Sequence, residues 1–136
     1  MNFTNASILY VDDDDLTRTT VARRLRREGY CVLEADSADK ALRLFKSVRE
    51  IDLLLIEPAL GMRHSLEMHR TLRQLSPTLP VAVCTVAIED VSAPVLQAER
   101  IQANCCCSKP CCFSELVICI QRALLNSPIS SESQPA

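Results

Sequence analysis

The sequence predicts an α/β domain in which a five-stranded parallel sheet carries amphipathic helices on both faces. Three observations lead there. Short apolar runs alternate with helical patterns five times in series, the signature of repeated β-α units. The run Leu53-Leu54-Leu55-Ile56 has no polar alternation, as expected of a strand covered on both sides. Units in series also connect through right-handed crossovers, which place helices above and below one sheet.

Each element has its own cause. Ile8 to Val11 is short, apolar and β-capable, and leads into Leu16 to Glu28. There Leu16, Thr20, Val21 and Leu25 mark one helical face, and most of the arginines (Arg18, Arg23, Arg24, Arg26, Arg27) lie on the others. Gly29 closes that helix. Tyr30 to Ala35 is the second strand. Ser37 caps a second helix that carries Ala41, Leu42, Leu44, Phe45 and Val48. After the third strand, a third helix runs through Leu66, Met68, His69, Leu72 and Leu75 and stops at Ser76-Pro77. Val81 to Thr85 forms the fourth strand, and Glu89 to Ile101 a weaker fourth helix interrupted by Pro94. Asn104 to Cys107 reads as the fifth strand and Ser114 to Leu125 as the fifth helix, with Ser114 as cap and Phe113 and Ile118 as a hydrophobic staple. Residues 126–136, rich in Ser and Pro, read as a disordered tail or linker. One domain, residues 6–125, remains.

Composition excludes several classes. At 136 residues, 48% hydrophobic and 24% charged, the chain is long enough for a core of its own. A net charge of -2 offers no global attraction to nucleic acid or an anionic membrane. No apolar stretch reaches the eighteen or so residues that span a bilayer, and Met1 to Asn5 shows no basic segment ahead of an apolar one. The eight cysteines are bunched rather than spread as a disulfide framework, which points to the cytoplasm. Gly29 and Gly61 are the only glycines, so there is no glycine-rich phosphate loop.

The chemistry collects at the carboxyl ends of the strands, where open α/β sheets bind ligands. Four aspartates, Asp12 to Asp15, follow the first strand directly. Such a run can build a cation site, or it can cap and charge a helix start with no ligand at all. Glu57 ends the third strand, Thr85 the fourth, and Lys109 the fifth, followed by Pro110. Carboxylates there suit a hard divalent ion such as magnesium. A hydroxyl and an ammonium can donate to phosphoryl oxygens bridged by that ion.

With those residues assembled, the chain resembles the receiver domains of two-component response regulators. Tyr10-Val11-Asp12-Asp13 with Leu16 and Arg18, Pro80 to Thr85, and Ser108-Lys109-Pro110 stand in the family's order and spacing, over roughly Ala6 to Leu125. The resemblance implies a flavodoxin-like, doubly wound sheet of order 2-1-3-4-5 with five helices. It implies Asp12 and Asp13 as the metal-binding acid pair, joined by Glu57, with magnesium as the cofactor. Thr85 and Lys109 become the phosphoryl-sensing pair, and the Lys109-Pro110 peptide is expected cis. Asp14 and Asp15 are left to cap and charge the first helix.

The pattern breaks at its centre. The family's phosphoacceptor is an aspartate, and this chain has Glu57 there. One added methylene moves the carboxylate, and in-line transfer loses about a hundredfold for a misplacement of about 1 Å. Asp52 precedes the third strand, at the wrong end of the sheet to substitute. The loop Pro58 to Ser65 lacks the family's usual glycine-aspartate pattern, and Cys106 replaces the switch aromatic. The expectation is a non-enzymatic, cytoplasmic, stand-alone receiver that works by protein-protein contact without phosphorylation. In it Glu57 reaches toward Lys109 and Thr85 as a partial phosphate mimic. Its partner would be a histidine kinase, a phosphotransfer protein or a downstream target. Contact would be through the fourth-helix, fifth-strand and fifth-helix face around Val95, Cys106, Ile118 and Arg122, with the chain itself a monomer or weak homodimer.

Two alternatives stand beside it. One is a working phosphoacceptor fed by a histidine kinase. The other is a thiol- or metal-responsive sensor built on Cys105 to Cys112, against which stands the preference of zinc sites for cysteines two to four residues apart and the use of cysteine as a small apolar core residue. His69 reads as a helix-surface residue and His64 as a loop residue. The arginines of the first helix read as a solvated face.

Overall fold

The computed structural model describes residues 5–47, 50–56, 62–86, 105–109 and 113–125, with side chains except at 62–66, 84–86 and 105–109. In chain order the elements are β1 (Ser7–Val11), α1 (Asp15–Arg27), β2 (Cys31–Ala35), α2 (Ala38–Ser47), β3 (Leu53–Ile56), α3 (Met62–Leu75), β4 (Val81–Val86), β5 (Cys105–Lys109) and α4 (Phe113–Leu125). The five strands form one parallel sheet in the order β2-β1-β3-β4-β5.

Alternation along β1 divides the core. Ile8 and Tyr10 face a cluster with Ala22 and Leu25 of α1 and Leu116, Cys119, Ile120 and Ala123 of α4. Leu9 and Val11 face the other side, with Ala41 of α2 and Met68 and Leu72 of α3. All four residues of β3 are buried, as its unbroken apolar run predicts. Each such Leu or Ile removed from water contributes about 1.5–3 kcal/mol.

The helix ends obey local chemistry. Asp14 caps α1, its carboxylate accepting from the Thr17 N–H at 3.3 Å and from the Thr17 hydroxyl. Asp15 lies in the first turn and Arg24, Arg26 and Arg27 near the last, as the helix dipole favours. Gly29 follows at φ 103°, a conformation that costs glycine little. Ser37 caps α2, its hydroxyl accepting from the Lys40 N–H at 3.2 Å.

Several expectations are corrected. Leu16, read as part of the buried face of the first helix, is 76% exposed. The helix packs through Val21, Ala22 and Leu25 instead, and the small Ala22 carries little periodic signal. The last helix begins at Phe113 rather than Ser114, and Ile118, expected to staple its start, is 47% exposed. The buried stripe Leu116, Cys119, Ile120, Ala123 follows the helical repeat and turns Ile118 outward. Phe113 packs on the core, and the Arg24 guanidinium lies 4.2 Å from its ring centre. The fourth strand continues one residue past Thr85 to Val86, which pairs with Lys109 at the end of the fifth, and the fifth begins at Cys105 rather than Asn104. His64 lies within α3 and not in a loop. The expected fourth helix at 89–101, the 126–136 tail and the Lys109-Pro110 peptide lie outside the described residues.

Candidate functional site at the carboxyl edge of the sheet

Register brings the sequence-picked strand ends to one edge. Val11, Ile56, Val83 and Cys106 form a row across four strands. Asp12 is one residue past that row on β1, Thr85 two past it on β4, and Lys109 three past it on β5. Thr85 pairs with Ser108 and Val86 with Lys109. The backbones of Thr85, Cys106 and Lys109 therefore lie in register on the two neighbouring strands β4 and β5. Glu57, next in the chain after Ile56, lies outside the described residues, as do the side chains of Thr85, Cys106 and Lys109.

The acid run is not uniform. Asp12 is 1% exposed, whereas Asp13, Asp14 and Asp15 are open to solvent. The Asp12 N–H donates to the Ala35 carbonyl at 3.0 Å, extending the β1–β2 ladder by one step. Among the described residues, donors reach both oxygens of its carboxylate. Oδ1 accepts from the Asp14 N–H at 2.9 Å, and Oδ2 accepts from the Tyr10 hydroxyl at 3.0 Å. Burying a polar side chain is costly unless such partners satisfy it.

Arg18 ties this turn to its surroundings. Its side chain is only 11% exposed and makes an ion pair with Asp15 at 2.8 Å. It donates to the Asp12 carbonyl at 2.8 Å, and its Nε lies 3.4 Å from Glu34 of β2. That last contact is an ion pair without hydrogen-bond alignment. Burial disfavours the charge on Arg18. The hydrogen bond and charge of Asp15, with Glu34 and Asp36 behind it, outweigh burial and raise its pKa above the ordinary value. The other arginines of α1 are exposed, in line with a solvated face. Arg26 is the one turned to the sheet edge, pairing with Glu34 at 3.1 Å and donating to the Val32 carbonyl at 2.7 Å.

Asp13 points to solvent beside Asp12. Two adjacent carboxylates are a donor set that fits magnesium, which keeps several waters and takes one or two protein carboxylates. Among the described residues, no group of three or more His, Cys, Asp and Glu side chains is placed to share a metal ion. Cys111 and Cys112 and the side chains of Cys105 to Cys107 lie outside the described residues. Asp52 sits at the opposite edge, accepting from the Ser7 N–H at 2.7 Å and donating its own N–H to the Ser7 carbonyl at 2.8 Å.

His69 corrects the sequence reading: it is 6% exposed, beside Met68 and Leu72 on the inner face of α3. Its Nε2 accepts from Arg73 Nε at 3.3 Å. Burial first, and the Arg73 charge second, push its pKa down to about 4. Positions 65, 68, 69 and 72 share one helical stripe, a signal that could have placed it inside. Tyr10 belongs to the first-strand motif, but its hydroxyl contact with Asp12 goes beyond what the motif implies. Its position two before Asp12, on the same strand face, was the available clue.

No described helix is long and apolar enough to cross a membrane. The family model of the response regulator receiver domain matches residues 8–121. The chain is 29% identical over 120 residues to a cyclic di-GMP phosphodiesterase of Thermotoga maritima, covering 88% of this chain and 31% of that protein. It is 30% identical over 130 residues to the transcriptional regulatory protein YvrH of Bacillus subtilis, covering 95% of this chain and 53% of that one. The chain thus spans a third to a half of the length of these relatives. Among solved structures, a response regulator receiver domain protein from Clostridium thermocellum superposes with a TM-score of 0.76 at 25% identity, covering 88% of this chain and 94% of that one.

Proposed function

Because the chain belongs to the response regulator receiver domain family, we propose that it serves two-component signalling as a receiver whose output no longer depends on phosphorylation. The observation that carries this is the contrast at the carboxyl edge. Asp12 is buried and gripped by two donors, while the residue after β3 is Glu57 in place of the family's aspartate. Asp12 and Asp13 would hold magnesium, with Glu57 beside them in the ligand set. That ion, when bound, supplies positive charge against phosphoryl or carboxylate oxygens. Thr85 and Lys109 take the phosphoryl-sensing positions, and Glu57 acts toward them as a fixed, partial phosphate mimic.

Output runs through protein-protein contact rather than catalysis. Ile118 is 47% exposed and Arg122 follows one helical turn later, also exposed, so α4 offers an apolar and a cationic contact together. This supports a meeting point with a kinase, phosphotransfer protein or target at this helix; Val95 and the Cys106 side chain, expected to share the face, lie outside the described residues.

Acetyl phosphate with magnesium tests the reading. Wild type is expected to gain no phosphoryl adduct by peptide mass spectrometry, and Glu57→Asp to gain one. A stable adduct on Glu57 of wild type would make the chain a working phosphoacceptor instead.

A further inference from the structure

We propose that Tyr10 is a positioning residue for cation binding, acting through its hydroxyl on the Asp12 carboxylate. The inference rests on the reading of Asp12 and Asp13 as a magnesium site and adds a residue to it from inside the core.

Tyr10 is 1% exposed, and its ring packs in the cluster with Ile8, Leu25, Leu55, Leu116 and Ile120. For filling that volume, phenylalanine would serve as well. The hydroxyl adds a polar group that is costly to bury unless it is paired. It is paired with Asp12 Oδ2 at 3.0 Å, while the backbone N–H of Asp14 holds Oδ1 at 2.9 Å. One donor comes from the strand below the carboxylate and the other from the turn beyond it. Together they fix the carboxylate plane. Two donors of fixed geometry, one on each oxygen, orient the carboxylate. Partners that orient a metal-binding carboxylate in this way typically change metal affinity by about 10–100-fold when removed.

The geometry also links the ion to the core. Tyr10 stands on β1 against α1 and α4, so a cation that draws on Asp12 is felt at a phenol deep in the packed interior. The chain has two tyrosines and no tryptophan, which makes that phenol observable.

The test titrates magnesium chloride into the full chain by calorimetry and by near-ultraviolet difference absorption. Tyr10→Phe is expected to bind magnesium about tenfold more weakly than wild type. In Tyr30→Phe, where Tyr10 is the remaining tyrosine, magnesium is expected to shift the tyrosine band. A purely structural role would lower the melting temperature of Tyr10→Phe and leave its affinity unchanged, which overturns the inference. So does a Tyr30→Phe protein that binds magnesium with no tyrosine shift, an outcome readable even if Tyr10→Phe does not fold. Wild type that binds no magnesium overturns the cation-site reading itself, and this inference with it.

Discussion

Asp12 and Asp52 stand at opposite edges of the same sheet, one after β1 and the other before β3, and they are used in opposite ways. Asp52 is exposed and spends its carboxylate on the Ser7 N–H, fixing where β1 and β3 begin. Asp12 is buried and gripped by a side chain and a backbone donor at the mouth of an acidic turn. The arginines repeat the contrast. At the amino edge, Arg73 gives its guanidinium to the carbonyls of Pro77 and Leu79, pinning the turn into β4. At the carboxyl edge, Arg18 meets the carboxylates of Asp15 and Glu34 as well as the Asp12 carbonyl. Polar groups at one edge close backbone; at the other they arrange charge. Parallel strands create this asymmetry, because every crossover leaves from one edge and returns at the other.

The contrast should break most visibly in magnesium binding. Asp12→Asn is expected to weaken it about a hundredfold or more by calorimetry, and Asp52→Asn to leave it unchanged. Equal losses in both variants would erase the distinction between the edges.

A smaller effect comes from His69, on the same helix as Arg73. Folded, it stays neutral down to about pH 4, whereas its ordinary pKa is 6.5. The unfolded chain therefore binds more protons between those values, and stability is lost as the pH falls from about 6.5 to about 4. The loss attributable to this group is roughly 2–3 kcal/mol. Urea titrations across that window should show a flatter profile for His69→Leu.

The finest test compares the arginines. Arg18→Met and Arg73→Met are each expected to cost about 1–2 kcal/mol of stability. Arg18→Met alone should also weaken magnesium binding, by about threefold, since it alone frees the acidic turn. Equal magnesium affinity in both variants would confine the role of Arg18 to stability.

Much of this was legible in the residues. Strands β1 and β3 declared themselves through unbroken apolar runs, and Ser37 and Gly29 marked helix ends by chemistry that needs no tertiary context. The helix-start role of Asp14 and Asp15 was readable, and their placement at the cap and in the first turn of α1 bears it out. Burial of a polar residue was harder. His69 lies on an inner stripe whose occupants are not all apolar, and periodicity weighs a histidine as surface. Leu16 erred the other way, since an apolar residue in the first turn of α1 sits above the core rather than against it. The contact of Tyr10 with Asp12 was not legible, because a strand pattern records which face a side chain takes, not what its far end touches.

The Arg26 contact has a consequence for how these molecules behave together. β2 forms one margin of the sheet, where a strand from another molecule could add by hydrogen bonding. The Arg26 guanidinium already occupies the Val32 carbonyl on that margin and places a cation against any incoming backbone. A strand adding at β2 would first have to displace that contact, set in a helix next to the margin it covers.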